Sequence, residues 1–203
     1  MNSLAILGAS GHGKVVADIA ELTGWDKIVF FDDAWPELTS NSAWPVMGNT
    51  ENLFAGIDEF SGVFVAIGNN DTRLNKLKQL RDLGVSLPSI IHPNAVISRY
   101  SVIDDGCVIC AGVVVNADSK IGFGSILNTG CSIDHDCIID YAVHVSPGAR
   151  LAGGAKVGKC TWIGIGAVVR QLITIGAYSV VGAGAAVVKN IPESTTVVGV
   201  PAQ

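Results

Sequence analysis

The chain has 203 residues, 49% of them hydrophobic and only 15% charged, with a net charge of −5. That is enough apolar material for a sizeable core and excludes a disordered chain. There is no basic block to serve a nucleic acid, and no run of 18 apolar residues to cross a membrane. The opening MNSLAILGAS has neither a basic stretch nor a cleavage signature, so it reads as the first strand of a cytoplasmic protein.

The first 90 residues alternate strand and helix patterns. LAILGA (4–9) is a buried strand running into a Gly-rich turn. Residues 12–24 place Val15, Val16, Ile19, Ala20 and Leu22 at helical spacing, closed by Gly24. KIVFFDD (27–33) and VFVAIGN (63–69) are further strands, and 70–84 repeats Leu74, Leu77, Leu80 and Leu83 as an amphipathic helix ended by Gly84. Between them, 34–50 is rich in Pro, Ser and Asn and reads as a mobile loop. The alternation predicts a small parallel α/β unit.

From about residue 95 the pattern changes. An aliphatic residue recurs at every sixth position from Ile97 to Val187, sixteen times without a slip. Two residues before each there is usually Ala, Ser, Thr or Cys, and Gly, Asn or Asp often follows. Each hexad is therefore a short strand plus a turn, three hexads close a triangular coil of eighteen residues, and the coils stack as a parallel β-helix. Aliphatic ladders fill its interior. The five cysteines fit this frame: Cys107, Cys131 and Cys137 occupy the small inward position, while Cys110 and Cys160 lie off it. Packing explains them better than metal or disulfide chemistry, although Cys107 and Cys110 form a lone CxxC.

Two places carry chemistry. His135 follows the core residue Ile133 by two positions, so it points outward between Asp134 and Asp136. Neighbouring carboxylates raise the basicity of an imidazole and fix its tautomer, as a general base requires. One coil later, eighteen residues on, stands Gly153, a side-chain-free position whose amide suits an oxyanion. His144 lies half a coil from His135, so it reaches that site only from a neighbouring subunit, and no third residue at suitable spacing makes a zinc site of the two.

The second place is the loop Gly8-Ala9-Ser10-Gly11-His12-Gly13-Lys14, between a strand and a helix. Backbone amides at such a helix start bind phosphate. Val15 replaces the hydroxyl residue of a nucleotide triphosphatase loop, and the spacing is not that of a dinucleotide fingerprint. With Asp32-Asp33 and Gly68-Asn69-Asn70 at two further strand ends, the three turns form a nucleotide crevice, or else are three plain tight turns.

The motifs GASGHGK (8–14), FFDD (30–33), AIGNN (66–70), IIHPNAVIS (90–98), LNTGCSIDHDC (127–137), HVSPGARLAGG (144–154) and VVGVPA (197–202) together resemble the PglD/NeuD group of bacterial sugar acyltransferases over essentially the whole chain. The resemblance implies a Rossmann-like α/β parallel-sheet domain over 1–90 that binds a nucleotide-linked sugar, followed by a left-handed parallel β-helix over 91–203 that binds acetyl-CoA and forms a homotrimer. It implies catalysis by His135 with Asp136 and the Gly153 amide, and no metal. Ser10, Gly11, His12 and Gly13 would hold the pyrophosphate side of the substrate, Asp32 and Asp33 the nucleoside, and Gly68, Asn69 and Asn128 the remainder. His144, Gly153, Gly166 and Gly184 would meet acetyl-CoA. Asp136 stands where the family often has Glu. The implied reaction is N-acetylation of a 4-amino sugar carried on UDP or dTDP for a surface glycan. The alternatives are O-acetylation of a sialic-acid-like sugar and a non-catalytic nucleotide-sugar-binding β-helix.

Overall fold

A computed structural model describes residues 2–203. The first part is a five-stranded sheet. Strands β1 (Ser3–Leu7), β2 (Lys27–Phe31), β3 (Ser40–Asn41), β4 (Trp44–Gly48) and β5 (Gly62–Val65) lie in the order β3-β4-β2-β1-β5, all parallel except the β3–β4 pair. Helices α1 (Gly11–Leu22), α2 (Thr50–Ala55) and α3 (Asn70–Asp82) connect them. Leu4, Ile6, Phe30 and Phe64 are fully buried between sheet and helices.

The reading of 34–50 as a mobile loop is corrected. Its turn-forming residues mark a hairpin: Ser42 takes φ +59° between β3 and β4, and β4 then joins β2 in parallel. The inward Val46 is buried against the sheet core, which holds the strand in place despite Pro45. Helix α2 was not anticipated. It begins on Asn49, whose side chain accepts from the Asn52 amide while the Asn52 side chain accepts from the Asn49 amide, a reciprocal cap.

From Ile90 onward the chain is the expected triangular coil. Two-residue strands stack into faces of six, five and seven parallel strands. Val96 pairs with Val114, Val102 with Lys120 and Val108 with Ile126, each eighteen residues apart. The second residue of each strand points inward, so Ile109, Leu127, Val145, Ile163 and Val181 form one of the interior ladders and are fully buried. The frame extends one hexad upstream, to Ile90–Ile91, and slips only after Val187, where Val197 pairs with Val181 sixteen residues away. All five cysteines are buried and free.

The three corners differ in a way that positions everything else. One column reads Gly112, Gly130, Gly148, Gly166 and Gly184, all with φ near +65° and all but the first with open space where a side chain would begin. A second reads Asp118, Asp136, Gly154 and Leu172, again left-handed. The third, Gly106, Gly124, Ala142 and Cys160, is covered by α3. A helical turn rises about 5.4 Å and a coil about 4.8 Å. Successive turns of α3 therefore meet successive corners: Leu77 packs on Gly106 and Gly124, Arg73 donates to the Gly124 and Ala142 carbonyls, and Asn70 donates to those of Cys160 and Thr161. No helix among the described residues is long and apolar enough to cross a membrane.

Candidate functional site

His135 and Asp136 form the outer edge of the corner between the six- and five-stranded faces, and both side chains are exposed. His135 Nδ1 lies 2.7 Å from Asp136 Oδ2. A carboxylate only accepts, so Nδ1 carries the proton and Nε2 presents a lone pair to solvent. Asp136 reaches this position because its backbone takes φ +59°, a conformation that Asp tolerates. Asp134 accepts from the His135 amide at 2.9 Å and from Asn116 at 2.9 Å, which fixes the loop on the other side. The Asp136 hydrogen bond and then the Asp134 charge raise the His135 pKa above 6.5.

Gly153 stacks one coil above, as the eighteen-residue arithmetic requires. A Cβ there would sit 2.6 Å from both Cε1 and Nε2 of His135, so the imidazole occupies the space that the missing side chain leaves. An open cleft of about 520 Å³ runs from Asp134, His135 and Asp136 past Gly153 and Gly154 to Gln171 and Leu172.

His144 and Asn128 lie elsewhere in the same chain. Asn128 Nδ2 is 3.3 Å from His144 Nε2, and the Trp162 ring packs on the imidazole with centroids 4.1 Å apart. With Ser146, Pro147, Gly164, Ile165, Gly182 and Ala183 they line a second cleft of about 440 Å³. Gly166 and Gly184 adjoin it on the all-glycine corner. His12, in the first turn of α1, reaches the same place, its ring centroid 6.4 Å from that of His144. Burial, then the Arg73 charge, lowers the His12 pKa to about 4; burial, Arg73 and His12 lower that of His144 to about 3. Both rings are therefore neutral near pH 7, and His12 Nε2 and His144 Nδ1 are buried without a partner. One chain thus brings together His135, Asp136 and Gly153 at the corner between the six- and five-stranded faces, and His12, Asn128 and His144 on the seven-stranded face, toward its corner with the six-stranded one.

The remaining positions surround the start of α1. Ser10 is its N-cap without a side-chain bond, and Gly11 is exposed with free space around it. Gly13 is forced: a side chain there would meet the Gly8 carbonyl and the Phe30 ring. Asp32 braces the loop, accepting from the Ala9 amide at 2.7 Å and from the Ala34 amide at 2.9 Å. Asp33 accepts from the Thr50 amide and remains exposed; hydrogen bonding from the Thr50 side chain, then from its amide, lowers the Asp33 pKa. Gly68 and Asn69 form the turn after β5, with Asn69 capping α3 through the Thr72 amide.

Burial pushes the Cys107, Cys110 and Cys131 thiols up to about 12 and Cys160 to about 11, so none is a ready nucleophile. Among the described residues, no group of three or more His, Cys, Asp or Glu is placed to hold a metal ion. Two participants escaped the sequence reading, Arg73 and Trp162. Arg73 does stand three residues after Asn70 and four before Leu77, on the face of α3 that the leucines mark as buried, and this was the available signal.

Comparison with known proteins places these features in context. Residues 3–80 match the family model described as the PglD N-terminal domain. The acetyltransferase domain of PglB from Neisseria gonorrhoeae FA1090, solved with acetyl coenzyme A, is 42% identical with a TM-score of 0.95, over 100% of this chain and 99% of that one. PerB from Caulobacter crescentus, solved with CoA and GDP-perosamine, is 39% identical with a TM-score of 0.95, over 100% of this chain and 97% of that one. UDP-N-acetylbacillosamine N-acetyltransferase of Bacillus subtilis (strain 168) is 36% identical over 113 residues, 54% of this chain. That match spans 51% of the length of the Bacillus protein.

Proposed function

Because the chain belongs to the PglD-type family of left-handed β-helix acetyltransferases that act on nucleotide sugars, we propose that it transfers the acetyl group of acetyl-CoA to the amine of a nucleotide-linked amino sugar. The observation that carries this reading is the His135–Asp136–Gly153 corner: an imidazole with a proton fixed on Nδ1, a free Nε2, and an open cleft beside a glycine. The sugar nitrogen attacks the thioester carbon and a C–N bond forms. Nε2 of His135 takes the proton from that nitrogen and gives it to the departing sulfur as the C–S bond breaks, so CoA leaves as a thiol and the base is restored. The amide of Gly153 faces the developing oxyanion. No covalent acyl-enzyme is needed, which accords with the buried, unactivated cysteines.

The N-terminal sheet would hold the nucleotide, with the start of α1 for the pyrophosphate, Asp33 for the nucleoside and the Gly68–Asn69 turn alongside. Asp32 would act by holding the loop. The two half-sites flank the six-stranded face, whose outward Val96 and Val168 are exposed. A closed ring of three copies packed by that face would bring one protomer's His135 toward His144 of the partner subunit. The site would then be completed between subunits, as the family resemblance implies.

Amine acetylation is preferred to O-acetylation because the Bacillus relative is an N-acetyltransferase and the Caulobacter relative binds an amino-sugar nucleotide. The test is acetyl-CoA thiol release with UDP-, dTDP- and GDP-linked 4-amino sugars, followed by mass spectrometry of the sugar. GDP joins the two carriers expected from sequence because of the Caulobacter complex. Gain of one acetyl group on nitrogen, lost by about 10²–10⁴-fold in His135→Ala, supports the assignment. Absence of transfer to all three acceptors overturns it.

A further inference from the structure

We propose that Arg73 is a positioning residue for the transfer, tying the turn after β5 to the coils that carry Asn128 and His144 and so setting the two halves of the site in register. The inference rests on the acetyltransferase reading above. Arg73 is fully buried, and its five hydrogen bonds all go to oxygens of uncharged groups. Nη1 donates to the Ile67 and Gly68 carbonyls at 2.9 and 3.1 Å, within the sugar-side turn. Nε donates to the Gly124 carbonyl at 2.8 Å, and Nη2 to the Ala142 carbonyl at 2.8 Å and to Asn70 Oδ1 at 2.8 Å. Gly124 is four residues before Asn128, and Ala142 is two before His144.

A buried guanidinium without a carboxylate is costly, and an apolar residue of similar volume would hold the helix on the coils at lower cost. What the apolar residue would lack is the planar fork, which reaches both bodies at once in fixed directions. Lysine, with one nitrogen on a flexible stem, cannot reproduce it. The groups facing the guanidinium charge are His12 on α1, His144 on the coil, and the Cys107 and Cys160 thiols; Asp71 and Lys159 stand beside Cys160. The charge thus also disfavours the protonated form of both imidazoles at the junction.

The experiment compares the full-length wild type with Arg73→Lys and Asn70→Ala. Asn70→Ala removes one acceptor of Arg73 and the Asn70 bonds to Cys160 and Thr161 without emptying the guanidinium space. In folded Arg73→Lys, kcat is expected to fall about 10²-fold and KM for the nucleotide sugar to rise about tenfold. Asn70→Ala changes the same constants less. Arg73→Met adds a readout that packing alone would not move: the His12 and His144 resonances titrate at higher pH than in wild type. Wild-type constants in folded Arg73→Lys, or in Asn70→Ala should Arg73→Lys not fold, overturn the proposal. If the wild type acetylates no nucleotide sugar, the functional reading fails first. Hydrogen exchange then decides the role of Arg73: faster exchange in 66–70 in either variant, with the β1 and β2 amides unchanged, supports the tie, and unchanged exchange refutes it.

Discussion

Replacing Gly153 by alanine tests the catalytic corner more sharply than removing His135. The new Cβ would lie 2.6 Å from Nε2 and Cε1 of His135, so the ring must retreat by about 0.8 Å to reach the 3.4 Å where ordinary contact begins. The ring can do this at little energetic cost, because it is the exposed end of a side chain and its atoms are the three nearest to the added methyl. Unfolding stability is therefore expected to change by no more than about 0.5 kcal/mol. Catalysis is less tolerant, since a misplacement of about 1 Å costs on the order of 10²-fold in rate. Thiol release from acetyl-CoA with a saturating amino-sugar nucleotide measures kcat, and a urea titration of the same preparation measures stability. A fall in kcat of about 10²-fold with an unshifted urea midpoint is the expected pair. Wild-type turnover in Gly153→Ala would refute the placement of His135 as the base, and a large loss of stability would refute the claim that the contact is catalytic rather than structural.

Asp136→Asn removes the carboxylate that chiefly raises the His135 pKa, so the acid limb of kcat/KM is expected to move to lower pH than in the wild type as turnover drops; an unmoved limb refutes the pairing. His12 and His144 are held neutral in the folded state, with pKa values of about 4 and about 3 against 6.5 unfolded, so the unfolded chain binds more protons below pH 6.5. Their stabilisation is complete above that pH and is lost on acidification, by up to about 1.4 kcal/mol per pH unit for each ring, fading near pH 4 for His12. Urea midpoints across this range should show the slope, and a His12→Asn/His144→Asn double variant should flatten it. Gly124→Ala drives a methyl into Leu77 at a left-handed corner and is expected to cost about 2–4 kcal/mol, whereas Gly130→Ala on the open column meets only the backbone penalty of about 1–2 kcal/mol; equal thermal shifts would refute the role given to α3.

The β-helix was legible because its constraint is local and repeated. Each hexad must supply an inward aliphatic and a small neighbour, so the pattern from Ile97 to Val187 prints itself sixteen times. The same period located Gly153 against His135 from sequence alone, since a fixed offset of eighteen residues becomes a fixed vertical contact. The split between the His135 and His144 clefts followed equally, from counting half a coil. The hairpin within 34–50 was not legible, because Pro45 and a run of turn formers masked a four-residue pairing that only the buried Val46 secures. Asp32 shows a third case: an acid at a strand end is correctly placed by pattern, but whether it meets a ligand or the Ala9 amide depends on a loop twenty-three residues earlier.

The partners of Arg73 and of the buried histidines lie beyond any periodic rule, and for one physical reason. Their environment is created where the α/β sheet meets the coils, between elements related by neither the helical nor the eighteen-residue repeat. In a helix read alone, an arginine among leucines is a solvated side chain whose stem covers apolar surface. Here the near match between one helical turn and one coil aligns α3 with the corner carbonyls of Gly124, Ala142 and Cys160. Those carbonyls have no side chain over them at Gly124 and only a methyl at Ala142, so a buried donor can reach them. The small residues that the hexad pattern marked as simple corners are therefore what admits the α/β unit, and with it His12, to the face that carries His144. A bulkier residue at Gly106 or Gly124 would lift α3 and separate His12 from His144, so the spacing of the two half-sites is set by corner residues that touch neither substrate.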